Sequence, residues 1–311
     1  MGLPRVVCAA ASRIAFRKIP HSADRGLVRV RNDVETLSLG RAVMHWDGTA
    51  LTAPVQLPAP VTPINWRSIA GAGMDADKIV YFVGDAGAAG FSVPASPNTV
   101  TTYTFNCDKP APQPAIPPNW RSSYCTSLPG FVDCWFGAED GGLTRYWNKA
   151  CARFPTNLSA GVTITSIWEG YDGTNIDVRL VATGGAARRS VKPAAACVTV
   201  AGPNCPDLRD PFYDGPMRAA LGAGATGVSA QLFLSGPADA SEVWVTGAGG
   251  TVGKWIKTLD PPPMDSLPFV RQPSSIISAL SGGYADSSGN LLVPGKTPVR
   301  MVYLGPLLPT K

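Results

Sequence analysis

The sequence has little histidine and few charged residues. Histidine occurs only at His21 and His45, and charged residues make up 16% of the chain, against about 25% in an average soluble domain. No Cys-x-x-Cys pair is present, which argues against a zinc site. A Gly-x-Ser-x-Gly elbow is also missing, which argues against a serine hydrolase. We therefore predict no catalytic residue, no metal site and no cofactor.

Long apolar runs and concentrated positive charge are missing too. No apolar run reaches the roughly 20 residues of a membrane-spanning helix. The net charge is +5, but the basic residues are scattered apart from Arg188-Arg189 and the first residues, whereas nucleic-acid binding favours a concentrated patch. We predict neither a membrane span nor a nucleic-acid partner. Residues 1–23 are basic and could be a transit-like prefix, but they contain no clear signal peptide, and we interpret them as a β segment.

Glycine and proline are abundant instead. The chain contains 33 glycines and 30 prolines, and 45% of its residues are hydrophobic. Glycine supplies positive φ in tight turns and proline presets turn geometry, whereas both weaken helix interiors. This composition predicts an all-β protein made of many short strands.

An internal repeat organises these strands. The tetrapeptide Asn-Trp-Arg-Ser occurs at residues 65–68 and again at residues 119–122. The same shift aligns Tyr81-Phe82 with Trp135-Phe136, Asp85 with Glu139, and Gly87 with Gly141. Further copies follow around residues 165–185, 243–255 and 299–305, and one precedes them around residues 40–46. Each unit predicts one four-stranded antiparallel sheet whose turns need glycine, and Pro-rich connectors end the sheets.

Sheets this small bury their faces only by stacking on neighbours around a closed ring. We therefore predict one β-propeller over residues 1–311, with about six four-stranded blades and five or seven as alternatives. The predicted blades are residues 19–60, 61–117, 118–160, 161–212, 213–270 and 271–311, the last closed by residues 3–17.

The turn motifs resemble those of bacterial propeller repeats of the WD40, YVTN and BNR-like kinds. The residues that carry the resemblance are Val83 to Gly87, Ala138 to Gly142, Thr246 to Gly250, and His45 to Gly48. The likeness covers most of the chain in degenerate form, and the sialidase-type Asp boxes are incomplete. The resemblance implies a fold and not an activity, since propellers host enzymes and scaffolds alike.

Repeated Trp-Arg pairs are the predicted ligand-binding residues. A Trp could stack on a sugar ring while the neighbouring guanidinium binds hydroxyls or carboxylates. The alternative is that these tryptophans lock adjacent blades together, and we favour that alternative. The candidate set is Trp66, Arg67, Trp120, Arg121, Trp168, Tyr171 and Asp172.

Acidic residues in the turns leave an enzyme open. Glycoside hydrolysis needs two carboxyl groups across one bond, although turn acids more often bond their own backbone. The candidate acids are Asp75, Asp77, Asp85, Glu139, Asp140, Glu169, Asp172, Asp177 and Glu242.

The seven cysteines include two candidate disulfides. Cys197 and Cys205 bracket a turn, and Cys125 and Cys134 flank a hairpin. Pairing requires an oxidising compartment, and buried thiols in a reducing one are the alternative.

These observations favour a noncatalytic recognition or assembly propeller that presents a face to protein or glycan, exported or displayed on a cell or particle surface. One alternative is a carbohydrate-active propeller enzyme that uses turn carboxylates. The other is a structural subunit of an appendage or virion, within a larger homo- or hetero-assembly.

Overall fold

A computed structural model describes the strands and most of the chain between residues 66 and 255. The described residues are 14–18, 26–30, 42–46, 55–56, 66–72, 79–92, 101–103, 118–128, 131–147, 150–171, 174–197, 207–221, 231–235, 242–255, 269–272, 284–285, 291–296 and 299–304.

The described strands form six antiparallel sheets, each a meander in chain order. The first sheet contains β1 (Ile14–Lys18), β2 (Gly26–Val30), β3 (Ala42–Trp46) and β4 (Val55–Gln56). The second contains β5 (Trp66–Ala72), β6 (Ile79–Gly84), β7 (Ala89–Ser92) and β8 (Thr101–Tyr103). The third contains β9 (Trp120–Leu128), β10 (Phe131–Ala138), β11 (Leu143–Trp147) and β12 (Ala150–Phe154).

The other three sheets follow the same order. The fourth contains β13 (Ile164–Tyr171), β14 (Asn175–Ala182) and β15 (Ala186–Pro193). The fifth contains β16 (Gln231–Ser235), β17 (Glu242–Thr246), β18 (Val252–Trp255) and β19 (Phe269–Gln272). The sixth contains β20 (Tyr284–Ala285), β21 (Leu291–Lys296) and β22 (Val299–Leu304).

From the second sheet onward, the first strand of each sheet lies against the first strand of the next. The strand β5 contacts β9, β9 contacts β13, β13 contacts β16, and β16 contacts β20. The strand β20 in turn contacts β1, so the last sheet meets the first. Stacking of this kind buries sheet faces that a single small sheet would expose, and the result is the predicted all-β propeller.

The turns between second and third strands share a glycine in the same backbone conformation. Glycines at equivalent places have φ values of 73° (Gly87), 75° (Gly141), 73° (Gly185) and 69° (Gly250). This is the left-handed region, which glycine adopts without a Cβ penalty. The preceding position differs between copies, because Ala86, Gly184 and Gly249 also have positive φ there and Asp140 does not. The copies therefore share the conformation of this glycine rather than that of the whole turn.

The aligned tryptophans also share their surroundings. Trp66 packs edge-on against Phe82 with ring centroids 5.9 Å apart, and Trp120 packs against Phe136 at 6.1 Å, both with planes at 61°. Both tryptophans stand at a register shift at the start of a first strand. The copies of the repeat are thus alike in the packing of these rings as well as in their sequence.

The largest core runs through the third, fourth and fifth sheets. Two buried arginines lie within it among tryptophan rings. The Cζ of Arg145 lies 5.2 Å from the ring of Trp135 and 4.1 Å from that of Trp147. The Cζ of Arg179 lies 5.2 Å from the rings of both Trp168 and Trp255. Guanidinium groups stack well on indole faces, so these charges are part of the packing.

One helix, which the sequence did not predict, precedes the fifth sheet. The helix α1 (Asp214–Leu221) buries Met217 and Leu221 and contacts β15, β18 and β19. A Cβ on Gly253 would lie only 2.3 Å from the Cδ2 of Leu221, too close for an unshifted side chain. A strand glycine thus makes room for the helix.

The third and fourth sheets approach closely at Gly137. A Cβ there would lie 2.5 Å from the Cγ2 of Ile164 and 2.5 Å from the Oγ of Ser122. We expect Gly137→Ala to destabilise the protein by about 1–3 kcal/mol through overpacking, as measured by urea denaturation. Gly215→Ala is the control, because a Cβ in this helix meets nothing within 4 Å and alanine favours helix by up to about 1 kcal/mol. Equal effects of the two substitutions would contradict the close approach.

The closure through residues 3–17 stays a prediction. Residues 14–18 pair with Gly26–Val30 in the first sheet, and residues 3–13 lie outside the described residues. The blade boundaries stay predictions too. The strand Phe269–Gln272 crosses the predicted boundary at residue 270, and it belongs to the fifth sheet.

Candidate functional site

A row of alternating charges crosses from the second sheet to the third. It consists of Arg67, Asp85, Arg121 and Glu139, and we call it the charged row. Each arginine follows the first residue of a first strand, and each acid follows the last residue of a second strand. Antiparallel pairing brings these two points to the same end of the strands, so the row lies along one end of the neighbouring sheets. We call this end of the propeller the edge that carries the charged row.

The ion pairs in the charged row run both within and between sheets. Arg67 donates from Nε to Asp85 Oδ1 at 3.0 Å and from NH2 to Oδ2 at 2.9 Å. Arg121 donates from NH1 to Asp85 Oδ1 at 2.5 Å and from Nε to Glu139 Oε1 at 2.5 Å. Arg121 therefore joins the carboxylate of the neighbouring sheet to the carboxylate of its own.

Asn119 reinforces the junction from the connector before the third sheet. Its amide Nδ2 donates to Glu139 Oε2 at 2.9 Å, and its Oδ1 accepts from the backbone N–H of Ala86 at 2.9 Å. The N–H of Gly87 donates to the carbonyl of Pro118 at 2.8 Å. The turn of the second sheet is thus held to the start of the third by both side-chain and backbone bonds.

The charged row is partly open to solvent. The side chains of Arg67 and Glu139 at its two ends are 36% and 41% exposed, and those of Asp85 and Arg121 between them are 22% and 23% exposed. A partner at this edge could therefore meet two outer charges that are held in fixed positions by two inner ones.

The turn itself does not require these charges. At the positions equivalent to Asp85 and Glu139, the fourth and fifth sheets have Thr183 and Ala248, and these turns keep the same positive-φ glycines. The backbone bond of Gly84 N–H to Ala88 is matched in the fifth sheet from Gly247 to Thr251, both at 2.9 Å. The acids are therefore additions to a turn that forms without them.

The described members of the predicted ligand-binding set are divided between the core and the surface. Trp120 and Trp168 are each 4% exposed, and Trp66 is partly buried against Phe82. Arg67 and Arg121 lie together in the charged row. Tyr171 is 37% exposed, but it stands at the end of β13. Arg67 and Arg121 stand instead at the starts of the equivalent strands β5 and β9.

Burial leaves the rings of Trp120 and Trp168 without a face open to a sugar, which favours the packing alternative. Asp172 lies outside the described residues. The ligand-binding prediction for the set as a whole stays a prediction.

Four of the described candidate acids pair with arginines, whereas the fifth, Glu169, is buried in β13. Arg121 donates to both Asp85 and Glu139. Asp140 accepts from Arg153 NH2 at 2.6 Å, and Asp177 accepts from Arg179 and Arg189 at 2.7 and 3.0 Å. Burial alone would raise the pKa of Asp177, but the two arginines lower it overall. Asp75, Asp77 and Asp172 lie outside the described residues, and no side chain is described for Glu242.

Two charged pairs recur in equivalent places within the core. Asp133 accepts from Arg145, and Asp177 accepts from Arg189, each pair joining residues 12 apart on a second and a third strand. Sequence reasoning missed both this pairing and that of the charged row. The signal was available, because each arginine–acid spacing occurs twice at the shift of the repeat.

One predicted disulfide is present. Cys125 and Cys134 stand opposite each other on β9 and β10 with Cα atoms 4.1 Å apart, and they are bonded. Cys151 and Cys197 each take part in a disulfide as well. The predicted partner of Cys197, Cys205, lies outside the described residues.

The described residues contain neither a metal-binding cluster nor a membrane-spanning helix. No group of three or more His, Cys, Asp and Glu side chains there is arranged to hold a metal ion. None of the helices in that part of the chain has the length and apolarity needed to cross a membrane.

Comparison with known proteins bears on the fold alone. No protein-family profile matches the chain, and no curated protein matches it. Among solved structures, the chain resembles one titled "Crystal structure of BBS1N in complex with ARL6DN, soaked with mercury", with a TM-score of 0.52 and 10% sequence identity. The match covers 91% of this chain and 75% of that one. BBS1N is a β-propeller, so the likeness confirms the predicted fold class but not the number of blades or the repeat family.

Proposed function

We propose that this protein is a noncatalytic interaction propeller that binds a protein partner at the edge carrying the charged row. The observation that carries the proposal is the pair of partly exposed outer charges, Arg67 and Glu139, which a turn of this type does not require. Opposite charges at fixed positions favour a partner with complementary charges and select its orientation.

The inner charges support this role by reducing the cost of binding. Asp85 and Arg121 hold the outer side chains through several hydrogen bonds, so less side-chain freedom is lost when a partner docks. The structurally similar BBS1N was crystallised in complex with ARL6DN, which is an example of a protein-binding propeller and says nothing of the partner here.

We further propose that the protein works in an exported or surface-displayed setting. The support is that Cys125, Cys134, Cys151 and Cys197 are all disulfide-bonded. Disulfides persist in oxidising compartments and are rare in the cytosol.

Photo-crosslinking tests the binding edge. A benzophenone amino acid replaces Asp140, which adjoins the charged row and is 46% exposed, in the source cells. We expect one discrete crosslinked protein, and we expect Arg67→Glu to reduce the crosslink at least tenfold, because reversal of an interface charge costs about 1.4 kcal/mol or more.

Two controls separate this edge from the rest of the surface. The same amino acid at Phe212, an exposed aromatic, is expected to give no matching product. Arg209→Glu reverses an arginine that is 48% exposed and paired with Asp207, and it is expected to leave the crosslink unchanged. Crosslinks that survive Arg67→Glu would refute the proposal. Binding of the pure protein to a glycan array that Arg67→Glu abolishes would instead establish a glycan ligand.

A further inference from the structure

A buried glutamate lies between the third and fourth sheets without a hydrogen bond to its carboxyl. Glu169 is in the middle of β13, and the residue is 2% exposed. Neither of its carboxyl oxygens has a hydrogen-bond partner among the described residues. Burying an ionised carboxylate in this way costs several kcal/mol, so its protonation state needs an explanation.

The neighbours of Glu169 come from the third sheet. Its strand β13 contacts β10, and its carboxyl is close enough to Asp133 and Trp135 on β10 and to Arg145 on β11 to interact with all three. The indole Nε1 of Trp135 makes no hydrogen bond. Asp133 and Arg145 are the charged groups that act on Glu169 from the described elements packed against it.

Arg145 forms an ion pair with Asp133 through both carboxylate oxygens. Its Nε donates to Asp133 Oδ1 at 2.9 Å and its NH2 to Oδ2 at 2.5 Å, while its NH1 donates to the carbonyl of Cys197 at 3.2 Å. One positive charge therefore faces two carboxyl groups. Two ionised carboxylates are both acceptors and cannot bond each other, so a bond between them requires a proton on one.

We propose that Glu169 is protonated in the folded protein and donates a hydrogen bond to Asp133, which makes the contact between the third and fourth sheets sensitive to pH. The proton belongs to Glu169 because Asp133 accepts from Arg145 through both oxygens. With Glu169 neutral, the cluster contains one negative and one positive charge and is balanced.

The direction of the pKa shift agrees with this geometry. Burial raises the pKa of Glu169 well above its usual range, and the negative charge of Asp133 raises it further. In the unfolded chain a glutamate titrates near about pH 4.3. As pH rises above that value, the unfolded state loses its proton while the folded state must keep it or expose a charge. The stabilisation that neutral Glu169 contributes is therefore fully present below the unfolded pKa, and it is lost as the pH rises toward the raised folded pKa.

Thermal unfolding as a function of pH tests the proposal. Between pH 5 and pH 8 we expect Glu169 to lower the Tm by about 2–4 °C for each unit of pH increase, as long as the pH stays below the folded pKa of Glu169. Glu169→Gln keeps the shape and donates an amide N–H to Asp133 at every pH. We expect this variant to lose that slope and to unfold at a higher temperature than wild type at pH 8.

Glu139→Gln is the matched control, since its carboxylate is 41% exposed, and we expect it to keep the wild-type slope. Infrared spectroscopy of the wild-type protein at pH 7 provides a measurement that needs no variant, and we expect the C=O stretching band of a protonated carboxyl. Absence of that band, or a Glu169→Gln protein with the wild-type slope, would overturn the proposal.

Discussion

Arg145→Ala is expected to destabilise the protein by about 3–5 kcal/mol. The side chains of Arg145 and Asp133 are 1% and 0% exposed, and the substitution leaves the Asp133 charge buried without its partner. It also removes a cation that lies between the rings of Trp135 and Trp147. Chemical denaturation measures the loss, and a variant that does not fold at all satisfies the same expectation.

The control for this prediction is a second arginine–aspartate pair at the surface. The side chains of Arg153 and Asp140 are 33% and 46% exposed, and exposed pairs contribute at most about 1 kcal/mol. Arg153→Ala should therefore have a small effect. If Arg145→Ala were no more harmful than Arg153→Ala, the buried pair would not stabilise the core.

Trp120→Ala is expected to cost about 3–5 kcal/mol, because it removes a buried ring between the second and third sheets. The residue is 4% exposed and packs against Phe136. Trp66 has the same local geometry in the second sheet but is only partly buried. Trp66→Ala should therefore destabilise less than Trp120→Ala in the same urea titration.

Tyr171→Ala is the reference for this pair, because an aromatic that is 37% exposed should lose less free energy of unfolding than the fully buried ring of Trp120. A cost of Trp120→Ala as small as that of Tyr171→Ala would show that the repeated tryptophan is not a packing residue.

Much of the fold could be predicted because the repeated residues include glycines that the turns of the sheets require. The shift that aligns Asp85 with Glu139 also aligns Gly87 with Gly141, and both glycines have positive φ. The helix α1 was not predictable in the same way. It has no counterpart in the repeat, and it contains both Gly215 and Pro216. Its stability comes from packing of Met217 and Leu221, which no local pattern of eight residues reveals.

The candidate site was predictable only in part. The sequence identified Arg67 and Arg121 but assigned them to a ligand rather than to Asp85 and Glu139. Adjacent residues in a strand point to opposite faces, so each Trp-Arg pair separates into a packed ring and a charge at the edge.

Charge pairs in the core follow a rule that one copy of the repeat would not reveal. The third and fourth sheets have an acid and an arginine at equivalent positions. The second sheet has Ile79 and Phe91 at the same places, both packed against the core. The position therefore accepts a charged pair or an apolar pair. Only comparison of the copies within the chain shows that its two members change together.

The most direct test of the closed ring is an intramolecular crosslink between its last and first sheets. A benzophenone amino acid in place of Tyr284 stands on β20, which contacts β1. Peptide mass spectrometry of the irradiated monomer should find links to residues 14–18. Links confined to the fifth and sixth sheets would show that the first sheet does not meet the last, and a closed propeller would then be excluded.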